Sequence, residues 1–204
     1  MNRPAHGGID PMSHRSLLLV LLLAAFASPA FGSYGSPPPP PPSQPGAPQP
    51  PGQNPQDLDS PRMQATPWYG DTYNDVVHAQ QDLANGNKKS AEKRFRRALE
   101  RGQRTVEIDS TYHEAWNLIG FSARMLGDYK TSLAAYRTCL RLKPDYAPAR
   151  EYYGEALLET GDVQGAREQL GWLKKLSADQ LVSDLQSALD KWQAAHPDSS
   201  AGSH

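Results

Sequence analysis

Apolar positions change their pattern twice along this chain. Residues 17–27, LLLVLLLAAFA, are continuously apolar, residues 33–66 carry few apolar side chains, and from Pro67 onward the apolar positions recur at helical spacing. A first helix is expected from about Asp71 to Asn85, with Tyr73, Val76, Val77, Leu83 and Ala84 on its apolar side. Asn85-Gly86-Asn87 stops it, because Gly and Asn tolerate the left-handed C-cap. A second helix starts near Ser90 with Ala91, Phe95, Ala98 and Leu99 on one face. Tyr112 to Leu126 and Tyr129 to Leu142 form the clearest pair, burying Trp116, Ile119 and Ala123 against Leu133, Tyr136, Cys139 and Leu140. Asp128 is placed to cap the second of these, and Pro144 closes it. Ala147 to Thr160 and Val163 to Leu176 form the next pair, with Tyr153, Gly154, Leu157, Ala166, Leu170, Leu173 and Leu176 in the core. Ser177-Ala178-Asp179-Gln180 reads as a capping box before a last helix with Leu181, Leu185, Leu189 and Trp192 in one stripe.

The pairs repeat. Ala115, Gly120, Gly127, Asp128 and Leu142 recur 34 residues later as Ala149, Gly154, Gly161, Asp162 and Leu176. Self-similarity at that period is the mark of a stacked helical array. Gly86 lies 41 residues before Gly127, so the first unit holds seven extra residues between Leu99 and Val106. A heptad keeps the apolar stripe in phase to within about 20°. The second helix is therefore expected to run unbroken to about Asp109, although Gly102 costs it roughly 1 kcal/mol relative to Ala. A break at Gly102 is the alternative.

Trp116 to Pro144, with its opening Trp, Ile119-Gly120 pair, Gly127 turn, helix-two Ala and Tyr, and closing Pro, resembles the tetratricopeptide repeat family. The third unit resembles it with Arg150 in place of the Trp and Ala178 in place of the Pro. The first is degenerate, with Asp75 and Ala79 where Trp and Gly are expected. The resemblance spans about residues 72–178 and implies an all-α, tetratricopeptide-type helical-hairpin solenoid of about three repeats plus a capping helix. It further implies a concave groove, lined by the first helix of each pair, that holds a segment of another protein.

Composition adds an address. The apolar run of residues 17–27 follows His14 and Arg15 and precedes the small residues Ser28-Pro29-Ala30 and Gly32, which reads as a secretory signal peptide cleaved after Ala30 or Gly32. Met12 stands where such a signal would start, so residues 1–11 read as an upstream extension. An uncleaved anchor is the alternative and the one route to membrane association. Twelve of the 19 prolines fall between Pro37 and Pro61, so residues 33–66 are expected to be a disordered, Pro-rich tether with polyproline character. The expected organisation is thus signal peptide 1–32, tether 33–66, repeats 67–178, capping helix 179–195 and tail 196–204. The lone cysteine, Cys139, makes no internal disulfide and sits on an apolar face as an inert thiol. Periplasmic location is the first expectation, secretion the second. A formal charge of −1 gives no reason to expect nucleic acid.

Candidate chemistry is non-covalent. His78 and His113 lack an HExxH pair or a carboxylate at ligand spacing, and no glycine-rich phosphate loop is present, so no catalytic, cofactor or metal residue is assigned. The candidate groove residues are Asn117, Phe121 and Arg124 from the second unit and Glu151, Glu155 and Glu159 from the third, with Glu114 and Leu158 beside them. The three glutamates form one acidic stripe at i, i+4 and i+8, destabilising by about 0.2–0.5 kcal/mol per pair. Such a stripe suits an external basic group. A solvated face partly neutralised by Arg124 is the plainer alternative. Phe121 is the candidate apolar anchor, or else packs on the neighbouring helix. Lys93, Arg94, Arg97, Arg101 and Arg104, with Lys88, Lys89 and Arg96, give the first unit's second helix a basic exterior, a solvated face or a docking surface for an acidic partner. The resulting expectation is a non-enzymatic adaptor of the cell envelope that binds a segment of a partner protein. The alternatives are an accessory subunit docked through the basic helix and a self-associating structural protein, the sequence leaving the oligomeric state open.

Overall fold

A computed structural model describes residues 60–197. The expected signal peptide, the tether up to residue 59 and most of the tail lie outside the described residues. Among the described residues seven helices and no strand are present: α1 (Pro61–Ala84), α2 (Lys88–Ile108), α3 (His113–Met125), α4 (Tyr129–Leu142), α5 (Ala147–Glu159), α6 (Val163–Lys175) and α7 (Asp179–Ala195). They form three antiparallel hairpins, α1/α2, α3/α4 and α5/α6, with α7 packed against α5 and α6. The all-α helical-hairpin solenoid is the fold.

One backbone device ends α1, α3, α5 and α6. In each, the residue after the C-cap takes positive φ: Gly86 (78°), Gly127 (77°), Gly161 (84°) and Ser177 (54°). Its N–H and that of the next residue return to carbonyls of the last turn, as in Gly127 N to Arg124 O (2.9 Å) and Asp128 N to Ala123 O (2.9 Å). This is the Schellman arrangement. The residue completing it, Asn87, Asp128, Asp162 or Ala178, is also the N-cap of the next helix. Ser177 is therefore not the N-cap of a capping box. It occupies the left-handed site that glycine fills in the other three turns, and Ala178 caps α7 without a side-chain bond.

The first hairpin departs most from expectation. α1 begins ten residues before Asp71, so the last residues assigned to the tether are helical. Ser60 Oγ accepts from Met63 N (3.3 Å) and Pro61 opens the helix, where its missing N–H is harmless. The extra turns are held down by Ala65 and Tyr69, both buried, by the Tyr69–Tyr112 ring contact (4.8 Å between centroids), and by Arg62 lying 3.3 Å over the Tyr112 ring. α2 runs unbroken through the inserted heptad. Gly102 is needed there: a Cβ at this position would stand 2.8 Å from Ile119 Cγ1, so its absence lets α2 lie against α3.

The same logic recurs inside the hairpins. A Cβ on Gly120 would stand 2.7 Å from the Tyr136 ring, and one on Gly154 would stand 2.6 Å from Leu185. These contacts seat α4 on α3 and α7 on α5. Gly171, also within a helix, faces open space. Replacing either type of glycine with alanine removes a helix penalty of about 1 kcal/mol. Gly171→Ala is therefore expected to raise the urea midpoint, whereas Gly120→Ala should lower it through overpacking of about 1–3 kcal/mol.

Candidate functional site

The candidate groove residues lie on α3 and α5, the first helices of the second and third hairpins. Asn117 and Glu151 share one repeat position, as do Phe121 and Glu155. Both helices are largely buried, α3 from Ala115 to Arg124 except Trp116.

Phe121 is a core residue. It is 0% exposed and lies edge-on between Phe95 (6.0 Å) and Tyr152 (5.1 Å), so it joins α2 to α5 and is not an anchor offered to a ligand. Leu158 is likewise buried.

Arg124 crosses from α3 to α5. Its Nη1 stands 2.6 Å from Glu155 Oε2 and donates to Glu159 Oε1 at 3.0 Å. Burial opposes its charge, yet Glu155 and then Glu159 outweigh that and hold the guanidinium above its ordinary pKa. The acidic stripe is graded along α5. Glu159 is exposed at its outer end, Glu155 is buried, and Glu151 is 1% exposed. No N–H or hydroxyl donor meets either oxygen of Glu151, whose side-chain hydrogen bond is to another carboxyl, that of Glu155. Burial, then the neighbouring Glu155, pushes its carboxyl well above the usual carboxylate range, against the pull of Arg124. Asp184 of α7 adds to the rise. Burial also raises Glu159.

Tyr136 of α4 completes the cluster from the side. Laid over Gly120, its ring is fully buried, its hydroxyl has no partner, and burial raises its pKa well above normal. Asn117 Oδ1, Ser122 Oγ, Ser132 Oγ and Arg124 Nε are similarly buried without partners. Sequence patterning pointed to the glutamates and Arg124. It missed Tyr136 and Asp184 as members of this cluster, because they sit on other helices, and it placed Tyr136 only in the core.

The basic helix has a different character. Arg97 and Arg101 both reach Asp75 (2.7 and 2.6 Å), Arg94 pairs with Asp82 (2.7 Å), Arg104 with Glu107 (3.0 Å) and Arg96 with Glu92 (2.6 Å). Asp75 is buried, so its two arginines are structural partners that join α2 to α1. Of the five cations singled out on this helix, Lys93 alone has no acidic partner among the described residues. The other notable groups are self-contained. Burial pushes the Cys139 thiol up to about 12, and burial lowers His113, which sits 3.1 Å from Glu114. Among the described residues no group of three His, Cys, Asp or Glu side chains has a metal-holding arrangement, and no helix is long and apolar enough to cross a membrane.

Residues 123–191, from the last turn of α3 into α7, match the tetratricopeptide repeat family. The matched stretch is about a third of the chain and contains Arg124, Tyr136, Asp184 and the α5 stripe. No curated protein matches the chain.

Two outcomes are expected. A carboxyl raised by folding stabilises the fold fully only below its unfolded pKa and loses that contribution as pH rises toward the folded one. Glu151→Gln should thus raise thermal stability at neutral pH, by about 1–3 kcal/mol, because it removes an ionisation the fold resists and keeps an uncharged side chain of the same size. The advantage should shrink as pH falls below about 5. Asp75→Asn should destabilise by about 2 kcal/mol, because two charge-assisted hydrogen bonds lose their acceptor charge. Calorimetry across pH checks the first, and urea unfolding checks the second.

Proposed function

We propose that this chain is a non-enzymatic interaction adaptor that receives a segment of a partner protein against the concave side of its array, on α3 and α5. Tetratricopeptide repeats are in general protein–protein interaction modules, and the α3-to-α7 region matches that family. The observation that carries the reading is the concentration of buried polar atoms without partners on these two helices, Asn117 Oδ1, Ser122 Oγ and Arg124 Nε, beside a Glu151 carboxyl that meets only the like group of Glu155. A core selected for stability alone satisfies its buried polar groups, so this many open valences on the groove-lining helices support a role for them beyond packing.

The cell envelope, with the periplasm as compartment, is proposed on the signal-like segment at residues 1–32, and the partner is accordingly another envelope protein. Docking through the basic helix is the weaker reading, because most of that helix's arginines already serve α1 or their own helix. Self-association has no observation in its favour.

Site-specific photo-cross-linking tests the reading. Benzoylphenylalanine placed at Glu159, the exposed end of the acidic stripe, should give a discrete protein adduct in an envelope extract. The same group at Lys93 on the convex helix should give none. A discrete adduct from Lys93 alone overturns the groove in favour of convex docking.

A further inference from the structure

The acid cluster has chemistry specific enough to name what the partner segment brings. Three carboxyls of α5, Glu151, Glu155 and Glu159, act on one guanidinium, that of Arg124 on α3, and a fourth, Asp184 of α7, acts on Glu151. Arg124 spends its Nη1 on Glu155 and Glu159, the outer members of the stripe. Asp184 accepts from Gln180 at one oxygen (3.0 Å), and its other oxygen is buried without a partner. Glu151, innermost and 1% exposed, meets no N–H or cationic donor, only the like carboxyl of Glu155. A carboxyl so placed is costly unless a donor of opposite charge meets it.

A second observation comes from a different helix. The Tyr136 hydroxyl of α4 is fully buried beside the same carboxyls and also lacks a partner. An oxygen that can donate, standing unbonded among acceptors, marks a position the folded chain does not fill itself. The described side chains do not offer a metal-holding arrangement, so a divalent cation is not the occupant the geometry suits. The charge excess and the open acceptors together fit an organic cation with several N–H donors.

We infer that the α3–α5–α7 cluster receives one cationic side chain, a lysine or arginine of the partner segment, with Glu151 as its paired carboxylate and the Glu159 end of the stripe as its entrance. The inference rests on the groove reading above and adds the partner's chemistry to it. It also links binding to protons. Free, Glu151 holds its proton because burial, Glu155 and Asp184 disfavour its charge, against Arg124; the phenols of Tyr136 and Tyr152, raised by burial, stay neutral. An arriving ammonium or guanidinium favours the ionised carboxyl, so the complex releases that proton. Affinity for a basic segment therefore rises with pH between the ordinary carboxylate range and neutrality.

The test uses the full chain and four fluorescent nonapeptide pools, random except for a central lysine, arginine, norleucine or glutamate. Fluorescence anisotropy is read at pH 5.5 and 7.5. The lysine or arginine pool is expected to bind at least about tenfold tighter than the norleucine pool at pH 7.5, with the glutamate pool weakest. That preference and its pH dependence should both vanish in Glu151→Gln, while norleucine binding and the folded circular-dichroism spectrum stay unchanged. Equal binding of all four pools overturns the cationic inference and leaves the groove standing. Retention of the lysine or arginine preference in Glu151→Gln overturns Glu151's role. Absence of binding by every pool overturns both the inference and the groove reading beneath it.

Discussion

The burial of one guanidinium, that of Arg124, sets the terms on which the second and third hairpins meet. An arginine cannot shed its charge, so once α3 carries it into the interior, carboxylates must meet it there. Glu155 does so at 2.6 Å and Glu159 at 3.0 Å, which fixes the rotation of α5 about its own axis. With α5 held in that rotation, Glu151 four residues earlier is carried inward with no cation of its own, against the like carboxyl of Glu155. A buried pair of this kind adds little net stability compared with apolar side chains of the same size. Removing one member costs about 3–5 kcal/mol, because the other charge is left stranded. Its effect is to forbid other packings of the two hairpins.

The glycines supply the complementary constraint. Gly120 brings Tyr136 flat onto α3, and Gly154 brings Leu185 onto α5. A tyrosine hydroxyl and Asp184 of α7 therefore reach the region where Glu151 lies. The repeat position that opens the first helix of each pair shows how much polarity this frame tolerates. It holds Asp75, Trp116 and Arg150 in the three hairpins. Asp75 accepts from Arg97 and Arg101, Trp116 donates to Ser110 O (2.9 Å), and Arg150 donates to Pro144 O and Gln169 Oε1 (both 2.8 Å). Each unlike residue at that position has a partner. Glu151, one residue beyond Arg150, meets only another carboxyl.

Much of this architecture was legible in the sequence because the signals were local. The glycine turns, the Asp128 cap and the 3.6-residue stripes all act within a few residues, and the heptad insertion preserved phase as its length required. What escaped was non-local. Ser60 and Pro61 form a good helix start, but they sit in a Pro-rich stretch whose composition argued for disorder. Only the contacts of Arg62 and Tyr69 with α3 make those turns worth forming. Ser177 looked like a cap because Ser favours that role, whereas the hairpin geometry demanded a left-handed residue there. Phe121 and the α2 arginines were placed correctly along their helices, yet what each faces depends on a neighbouring helix that periodicity does not specify.

The contrast between the two charged helices carries the functional argument furthest. On composition, α2 is the more heavily charged and would be the first choice for a partner surface. Its arginines, however, are met by Asp75, Asp82, Glu92 and Glu107, so they leave little field to offer. α5 carries fewer charges, but two of its glutamates use the one arginine they share and the third is left without a cation of its own. A charge already neutralised by the fold is scaffolding, however exposed it looks in a helical projection. A charge the fold buries and leaves open works against stability, and natural chains keep such features mainly where function needs them. By that criterion the acidic helix is the better candidate for the proposed interaction surface, and the basic helix is the brace that holds the first hairpin together.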